Sequence, residues 1–93
     1  MISGKLTQAN PESEEFPVLG ECYICAKGSG AISVYRKVGA NFELMTTERG
    51  EDLTFVGDGV LFNNSISSNK RLMHKLVADT SGTIEFYIAS EDR

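Results

Sequence analysis

The chain has 93 residues, of which 41% are hydrophobic and 24% are charged, and its formal net charge is −4 at pH 7. This length and balance are typical of one globular domain and exclude a chain that is disordered throughout. The acidic charge argues against a nucleic-acid-binding protein, because non-specific affinity for DNA or RNA comes from cationic side chains that neutralise phosphates.

The sequence contains no signal that directs it to a membrane. Its apolar runs are shorter than the roughly 20 residues of a spanning helix, and its first residues lack the apolar core of a signal peptide. We therefore expect a protein that is made in the cytoplasm, where thiols stay reduced, and that has no membrane partner.

The first predicted strand covers Ile2 to Leu6, and a polar, acidic loop or arm follows it at residues 7–15. The arm has the sequence TQANPESEE, in which one proline and three glutamates leave few apolar groups to bury. Such a composition favours a mobile segment.

The stretch ECYICAK at 21–27 contains a Cys-x-x-Cys pair, Cys22 and Cys25. Its tyrosine and isoleucine favour a strand, and the Gly-Ser-Gly at 28–30 predicts a turn into the next strand. On a strand, residues three apart point to opposite faces, and their Cα atoms are about 10 Å apart at ~3.3 Å per residue. A disulfide needs less than about 7 Å, so both thiols are predicted to be free, with Cys22 buried.

The cysteines give weak support for redox or metal chemistry. A redox pair has its first cysteine at a helix N-terminus, and no helix pattern follows this pair. Structural zinc needs four ligands, whereas the chain offers two cysteines and His74, so a zinc site would require a second subunit. The spacing of a calcium loop is not found among the clustered acidic residues Glu48, Glu51, Asp52 and Asp58. We therefore expect no metal and no cofactor.

Alternation of apolar and polar residues predicts further strands. Residues 31–37 place Ile32 and Val34 on one face, and residues 83–89 do the same with three apolar side chains, which indicates a sheet with one covered face. Gly57-Asp58-Gly59, between DLTFV and VLFNN, predicts a tight hairpin. The predicted core consists of Ile24, Ile32, Val34, Phe42, Leu44, Leu53, Phe55, Phe62, Leu72, Leu76, Ile84, Phe86 and Ile88.

Residues 69–79, NKRLMHKLVAD, fit two patterns. A helix would align Leu72, Met73, Leu76 and Val77 in one stripe. A strand would turn inward the even-numbered residues Leu72, His74, Leu76 and Ala78. The strand is favoured because the neighbouring segments are β, and the polar run at 63–69 before it is predicted as a loop.

Turn residues recur at intervals of about 8–12 residues, which is the pattern of all-β sandwiches and barrels. The predicted fold is all-β. It is a single antiparallel β-sandwich or jelly-roll-like domain of about 7–9 short strands that spans residues 1–93.

Residues for catalysis are few. His74 is the single histidine, no serine lies in a nucleophile elbow, and no set of nucleophile, base and orienting residue can be assembled. We expect no enzymatic activity and assign no catalytic residue.

The stretch AISVYRKVGANFELMTTERGEDLTFVGDGVLFN and the closing SGTIEFYIAS resemble the small β-sandwich virion proteins of tailed bacteriophages, such as capsid decoration and tail-associated proteins. The resemblance covers roughly residues 20–90 and rests on turns and strand patterns. It implies a non-enzymatic protein, located in the virion, that adheres in many copies to other virion proteins. It also implies a homo-oligomer, with a trimer as the expected state, and it assigns no binding residue.

A candidate interface is predicted on the last strand. Tyr87 and Ala89 lie on its second face, with Glu85 as the one charge there, and Tyr35 joins them if the two strands are adjacent. The expected partner is a second copy or another virion protein. The alternative function is a carbohydrate-binding or receptor-binding module, in which Tyr23, Tyr35 or Tyr87 stacks against a sugar.

Overall fold

The computed structural model describes residues 2–46, 49–51, 53–58 and 62–90. Within these residues it contains no helix, and its six strands are β1 (Ile2–Thr7), β2 (Phe16–Val38), β3 (Asn41–Leu44), β4 (Thr54–Asp58), β5 (Phe62–Asp79) and β6 (Thr83–Ser90). The prediction of an all-β chain is confirmed. The strand interpretation of residues 69–79 is confirmed as well, since they lie in β5 up to Asp79.

Two of the strands are much longer than predicted, because β2 has 23 residues and β5 has 18. The turn predicted at Gly28-Ser29-Gly30 is instead a bend inside β2. Gly28 and Gly30 have φ values of 146° and 121°, which favour glycine, and a Cβ on either would lie 2.5 Å from a carbonyl oxygen. The polar run at 63–69 also belongs to a strand, since Ile66 within it is buried and the backbone pairs with β2.

The bend lets β2 take part in two regions of one sheet. Before the bend, residues 22–28 of β2 pair with β6, and β1 pairs with the other edge of β6. After the bend, β3 and β4 pair with the same strand, at residues 35–38 and 29–33 respectively. Strand β5 follows β2 through both regions.

Strands β2 and β5 run in opposite directions. Residues 16–26 of β2 pair with residues 74–62 of β5, and residues 31–36 pair with residues 79–74. His74 therefore lies between two separate parts of β2, with Phe16 on one side and Arg36 on the other. At His74, β5 is therefore hydrogen-bonded between two parts of the same strand.

The core is built from the even-numbered residues of β1, β2, β5 and β6, because a period of two turns every second side chain inward. Seven of the predicted core residues are buried there: Ile24, Ile32, Val34, Leu76, Ile84, Phe86 and Ile88. The buried set also includes Leu6, Phe16, Val18, Cys22, Ala26, Ile66, His74 and Ala78.

Phe42 and Leu44 were predicted in the core, and this prediction is wrong. Both are half-buried, and the register opposes them to Lys37 and Tyr35, which are odd-numbered residues of β2. They therefore lie on the outer side of the sheet.

The remaining core predictions have mixed outcomes. Leu53 packs partly buried against the core, and Leu72 is half-buried. The side chains of Phe55 and Phe62 lie outside the described residues. The predicted Gly57-Asp58-Gly59 hairpin also lies partly outside them, because residues 59–61 are not described. Strand β4, which precedes it, pairs with β2.

The segment predicted as an acidic loop or arm follows the edge of β5. The Pro11 carbonyl accepts a hydrogen bond from the Ala78 amide over 2.8 Å, and the Ser13 amide donates to the Leu76 carbonyl over 2.9 Å. Lys75 Nζ lies 2.7 Å from Glu12 Oε1. The arm is thus attached by backbone and ionic contacts.

Candidate docking face

The last strand forms an exposed face together with β2. On this side of the sheet Tyr23 is opposite Ala89 and Cys25 is opposite Tyr87. We call these four residues the tyrosine face. They are odd-numbered, so the same alternation that buries Ile24 and Ile88 turns them outward.

Tyr23 and Tyr87 are the two large exposed residues of the tyrosine face, with exposed fractions of 45% and 41%. Tyr87 is two residues from the partner of Tyr23, so the two are diagonal neighbours, which in a sheet are about 7–8 Å apart and within reach of aromatic rings. Ala89, directly opposite Tyr23, has a small side chain. The arrangement gives two neighbouring aromatic side chains with room beside one of them.

Cys25 is the buried member of this face, because it is only 6% exposed although strand alternation places it on the outer side. Hydrogen bonding with Cys25 is the main cause that raises the pKa of Tyr87 above its ordinary value, and repulsion from the thiolate form of Cys25 and burial act in the same direction. Tyr87 is therefore neutral at physiological pH. It lies directly opposite Cys25 in the sheet, so its ring is placed to cover the thiol.

Charged residues border the tyrosine face on one side. Glu85 pairs across the strands with Lys27 of β2 and Lys5 of β1, and Lys5 Nζ is 3.9 Å from Glu85 Oε1. Both partners are largely exposed, so this ion pair adds little to stability. Its charges can orient a partner that approaches the face.

The structure brings together three of the four predicted interface residues, Glu85, Tyr87 and Ala89, on one side of β6. Tyr35 is elsewhere. It lies beyond the bend of β2, half-buried, and its cross-strand partners are Leu44 of β3 and Lys75 of β5.

Tyr35 belongs to a second outer cluster that was not predicted. Phe42 and Leu44 lie beside it, and the Nζ atoms of Lys75 and Lys37 are 4.6 Å and 5.9 Å from the centre of the Phe42 ring. Such cation–π contacts cover the aromatic ring with charged groups. The alternation of Asn41–Leu44 allowed either face, and only the register with β2 placed Phe42 and Leu44 outside.

His74 is fully buried and has a structural role. Its Nδ1 atom is 2.9 Å from the Leu72 carbonyl oxygen, its Nε2 atom accepts a hydrogen bond from Arg36 Nε over 3.1 Å, and its ring stacks on Phe16. Burial lowers the pKa of His74, and the charge of Arg36 lowers it further, against the opposing effect of the Leu72 carbonyl. Both ring nitrogens are occupied, so the histidine is neutral and not available to a substrate.

Both cysteines are free, as predicted, and Cys22 is fully buried. Burial raises the pKa of the Cys22 thiol to about 11, so it stays protonated and unreactive at neutral pH. The part of the chain that the structure describes contains no group of three or more His, Cys, Asp or Glu residues placed to hold a metal ion. Of the acidic residues considered for calcium, Glu48 and Asp52 lie outside the described ranges.

None of the described segments is a helix long and apolar enough to cross a membrane. Comparisons of the chain with protein-family models, with curated proteins and with solved structures found no match.

Proposed function

We propose that this chain is a non-enzymatic structural and interaction protein of a tailed-bacteriophage virion, a capsid decoration protein or a head or tail accessory protein, that docks through the tyrosine face. The observation that carries the proposal is the pair of exposed diagonal neighbours Tyr23 and Tyr87 on β2 and β6. Tyrosine is enriched in protein interfaces because its ring contributes a large contact area and its hydroxyl forms a hydrogen bond.

The virion assignment is supported by the resemblance of residues 20–90 to phage β-sandwich proteins and agrees with the composition. A net charge of −4 suits a protein that binds other proteins and makes no contact with packaged DNA. The expected partners are a second copy of the chain, with a trimer as the state that the resemblance implies, and other virion proteins. The protein would be made in the host cytoplasm and act in the virion.

Light scattering at micromolar concentration, with the double variant Tyr23→Ser, Tyr87→Ser, tests this function. We expect the wild type to form a homo-oligomer and the double variant to be monomeric, because both exposed rings are lost while the even-numbered core residues of β2 and β6 are retained. Tyr35→Ser, which removes a tyrosine from the second outer cluster, is the matched control and should stay oligomeric. A wild type that is strictly monomeric and binds no isolated virion component would refute the proposal.

A carbohydrate-binding or receptor-binding module is the second candidate. The observation that favours it is that Tyr23 and Tyr87 are neighbours, since isolated tyrosines would offer a sugar chain only one ring. Two neighbouring aromatic rings on one face of a sheet can stack against successive sugar units. Titration with soluble oligosaccharides, followed by NMR, separates the two functions. Saturable shifts confined to residues around Tyr23 and Tyr87 would favour sugar binding, whereas unchanged spectra would favour protein docking.

A further inference from the structure

A groove opens between β1 and the arm that follows it. Its volume is about 240 Å³, and it is lined by residues 3–6 of β1, by Asn10, Glu12, Ser13 and Glu14 of the arm, and by Phe86. This volume is below the roughly 300–1,000 Å³ of sites for small molecules. The groove is therefore too small for a typical drug-sized molecule, and a ligand would have to lie between β1 and the arm.

The groove exists because the arm leaves β1 soon after the chain reverses. The amides and carbonyls of Thr7 and Asn10 bond to each other in both directions over 3.2 Å, as at the end of a hairpin. The hairpin does not continue, since Pro11 and Ser13 bond to β5 instead. The two segments consequently separate from the Thr7–Asn10 pair onward, and the space between them is open at the far end.

Backbone hydrogen-bonding groups point into this space from both sides. The backbone amide and carbonyl of Thr7 bond to Asn10 and therefore face away from β6. Because these groups alternate in direction along a strand, the amides and carbonyls of Lys5 and Ser3 face the same way. On the arm, Pro11 and Ser13 face β5, so the groups of Glu12 face the groove. Two strand edges thus oppose each other, and such edges bind added strands.

Charge and shape describe the strand that would fit. Glu14 lines the groove and is exposed, while Glu12 is already paired with Lys75. The one cation of the lining, Lys5, has its Nζ atom 3.9 Å from Glu85 Oε1, which offsets its charge. The floor is apolar, because the Phe86 ring lies under Gly4, where a Cβ would be 3.3 Å from the ring carbons. Alternate residues of a bound strand would therefore meet the Glu14 carboxylate and an aromatic floor.

We propose that this groove binds an extended segment of a partner protein, which adds as a strand to the edge of β1 and places a lysine or arginine beside Glu14. Backbone hydrogen bonds to Ser3, Lys5 and Glu12 supply affinity, and the alternating side chains supply selectivity for a basic, apolar sequence. The groove contains none of the four residues of the tyrosine face, so this proposal adds a second docking site to the one proposed above.

The probe is a panel of short peptides with lysine or arginine at every second position and valine or threonine between them, added to the full chain labelled for NMR. We expect one or more peptides to shift the amide signals of Ser3, Lys5 and Glu12 and to slow their hydrogen exchange. Glu14→Lys should weaken binding about three-fold or more at low salt, because it replaces attraction by repulsion. Glu43→Lys, which changes the net charge equally from an exposed position on β3, should leave binding unchanged.

The proposal is overturned if no peptide of the panel shifts these amides at millimolar concentration, or if Glu14→Lys and Glu43→Lys weaken binding equally. Loss of peptide binding in the Tyr23→Ser, Tyr87→Ser variant would also overturn it, because the peptide would then occupy the tyrosine face. Conversely, the protein could bind peptide in the groove and still be strictly monomeric. That result would refute self-association through the tyrosine face and would support the groove proposal.

Discussion

Arg36 donates a hydrogen bond from Nε to Nε2 of His74 over 3.1 Å, in the interior of the sheet where β5 lies between two parts of β2. The histidine accepts this bond only in its neutral form. Its other nitrogen is occupied by the Leu72 carbonyl. A proton on Nε2 would break the contact with Arg36 and place two positive charges together.

The first prediction is that this contact makes stability depend on pH. The pKa of His74 in the folded chain is below the ordinary value of about 6.5 that applies to the unfolded chain. Between the folded pKa and about pH 6.5, the unfolded chain binds a proton on His74 that the folded chain does not. The contribution of His74 to the free energy of unfolding is therefore highest above about pH 6.5. It should fall as the pH decreases through the folded pKa.

Urea unfolding at pH 8 and at about pH 5.5 measures this effect, since carboxylates titrate mostly below about pH 4.5. The chain has a single histidine, so His74→Gln is a complete control, and its stability should change less over the same interval. Equal losses in the wild type and in His74→Gln would show that another group is responsible.

The second prediction concerns the bend of β2. Gly30→Ala should destabilise the fold on the order of 3 kcal/mol, because it combines a φ of 121° with a Cβ that would lie 2.5 Å from the Asp79 carbonyl oxygen. Gly39→Ala is the matched control, since Gly39 has a φ of 64° but no atom within 4 Å of the added Cβ. Thermal unfolding of both variants should give the larger loss for Gly30→Ala, and similar losses would mean that the close contact has no part in the bend.

The third prediction concerns the core. Phe86→Ala should reduce the free energy of unfolding by about 3–5 kcal/mol, because Phe86 is buried against β1 and its truncation would leave a cavity in the core. Denaturant unfolding measures the change. A loss below about 1 kcal/mol, the centre of the range for ordinary substitutions, would contradict the register of β6.

The fourth prediction concerns the thiols. A chromogenic disulfide reagent should detect two free thiols per unfolded chain under non-reducing conditions, and it should react slowly with the folded chain, because both cysteines are buried. Tyr87→Ala should speed the labelling of Cys25 in the folded chain and leave Cys22 slow. Peptide mass spectrometry of the labelled protein distinguishes the two. Equal rates for Cys25 in the wild type and the variant would show that Tyr87 does not cover this thiol.

The strand composition was readable from the sequence because alternation is a local property. Ile32, Val34, Ile84, Phe86 and Ile88 could be placed in the core from their spacing alone, since every second residue of a strand shares a face. The three candidate residues on β6 were found by the same reasoning. No partner strand had to be known for these assignments.

Pairing and continuity depended on the tertiary structure. Gly28 and Gly30 have the composition of a turn, and only contact with Thr83 and Asp79 shows that they allow β2 to bend and continue. Phe42 alternates like a core residue, yet its register with Lys37 places it outside.

The neighbours of each tyrosine were likewise decided by strand order. The order of strands put Tyr23 beside Tyr87 and Tyr35 beside Leu44. The sequence by itself therefore determined which residues alternate along each strand. The long-range hydrogen bonds of the sheet decided which strands meet and which of the two faces is covered, because those bonds join residues that are distant along the chain.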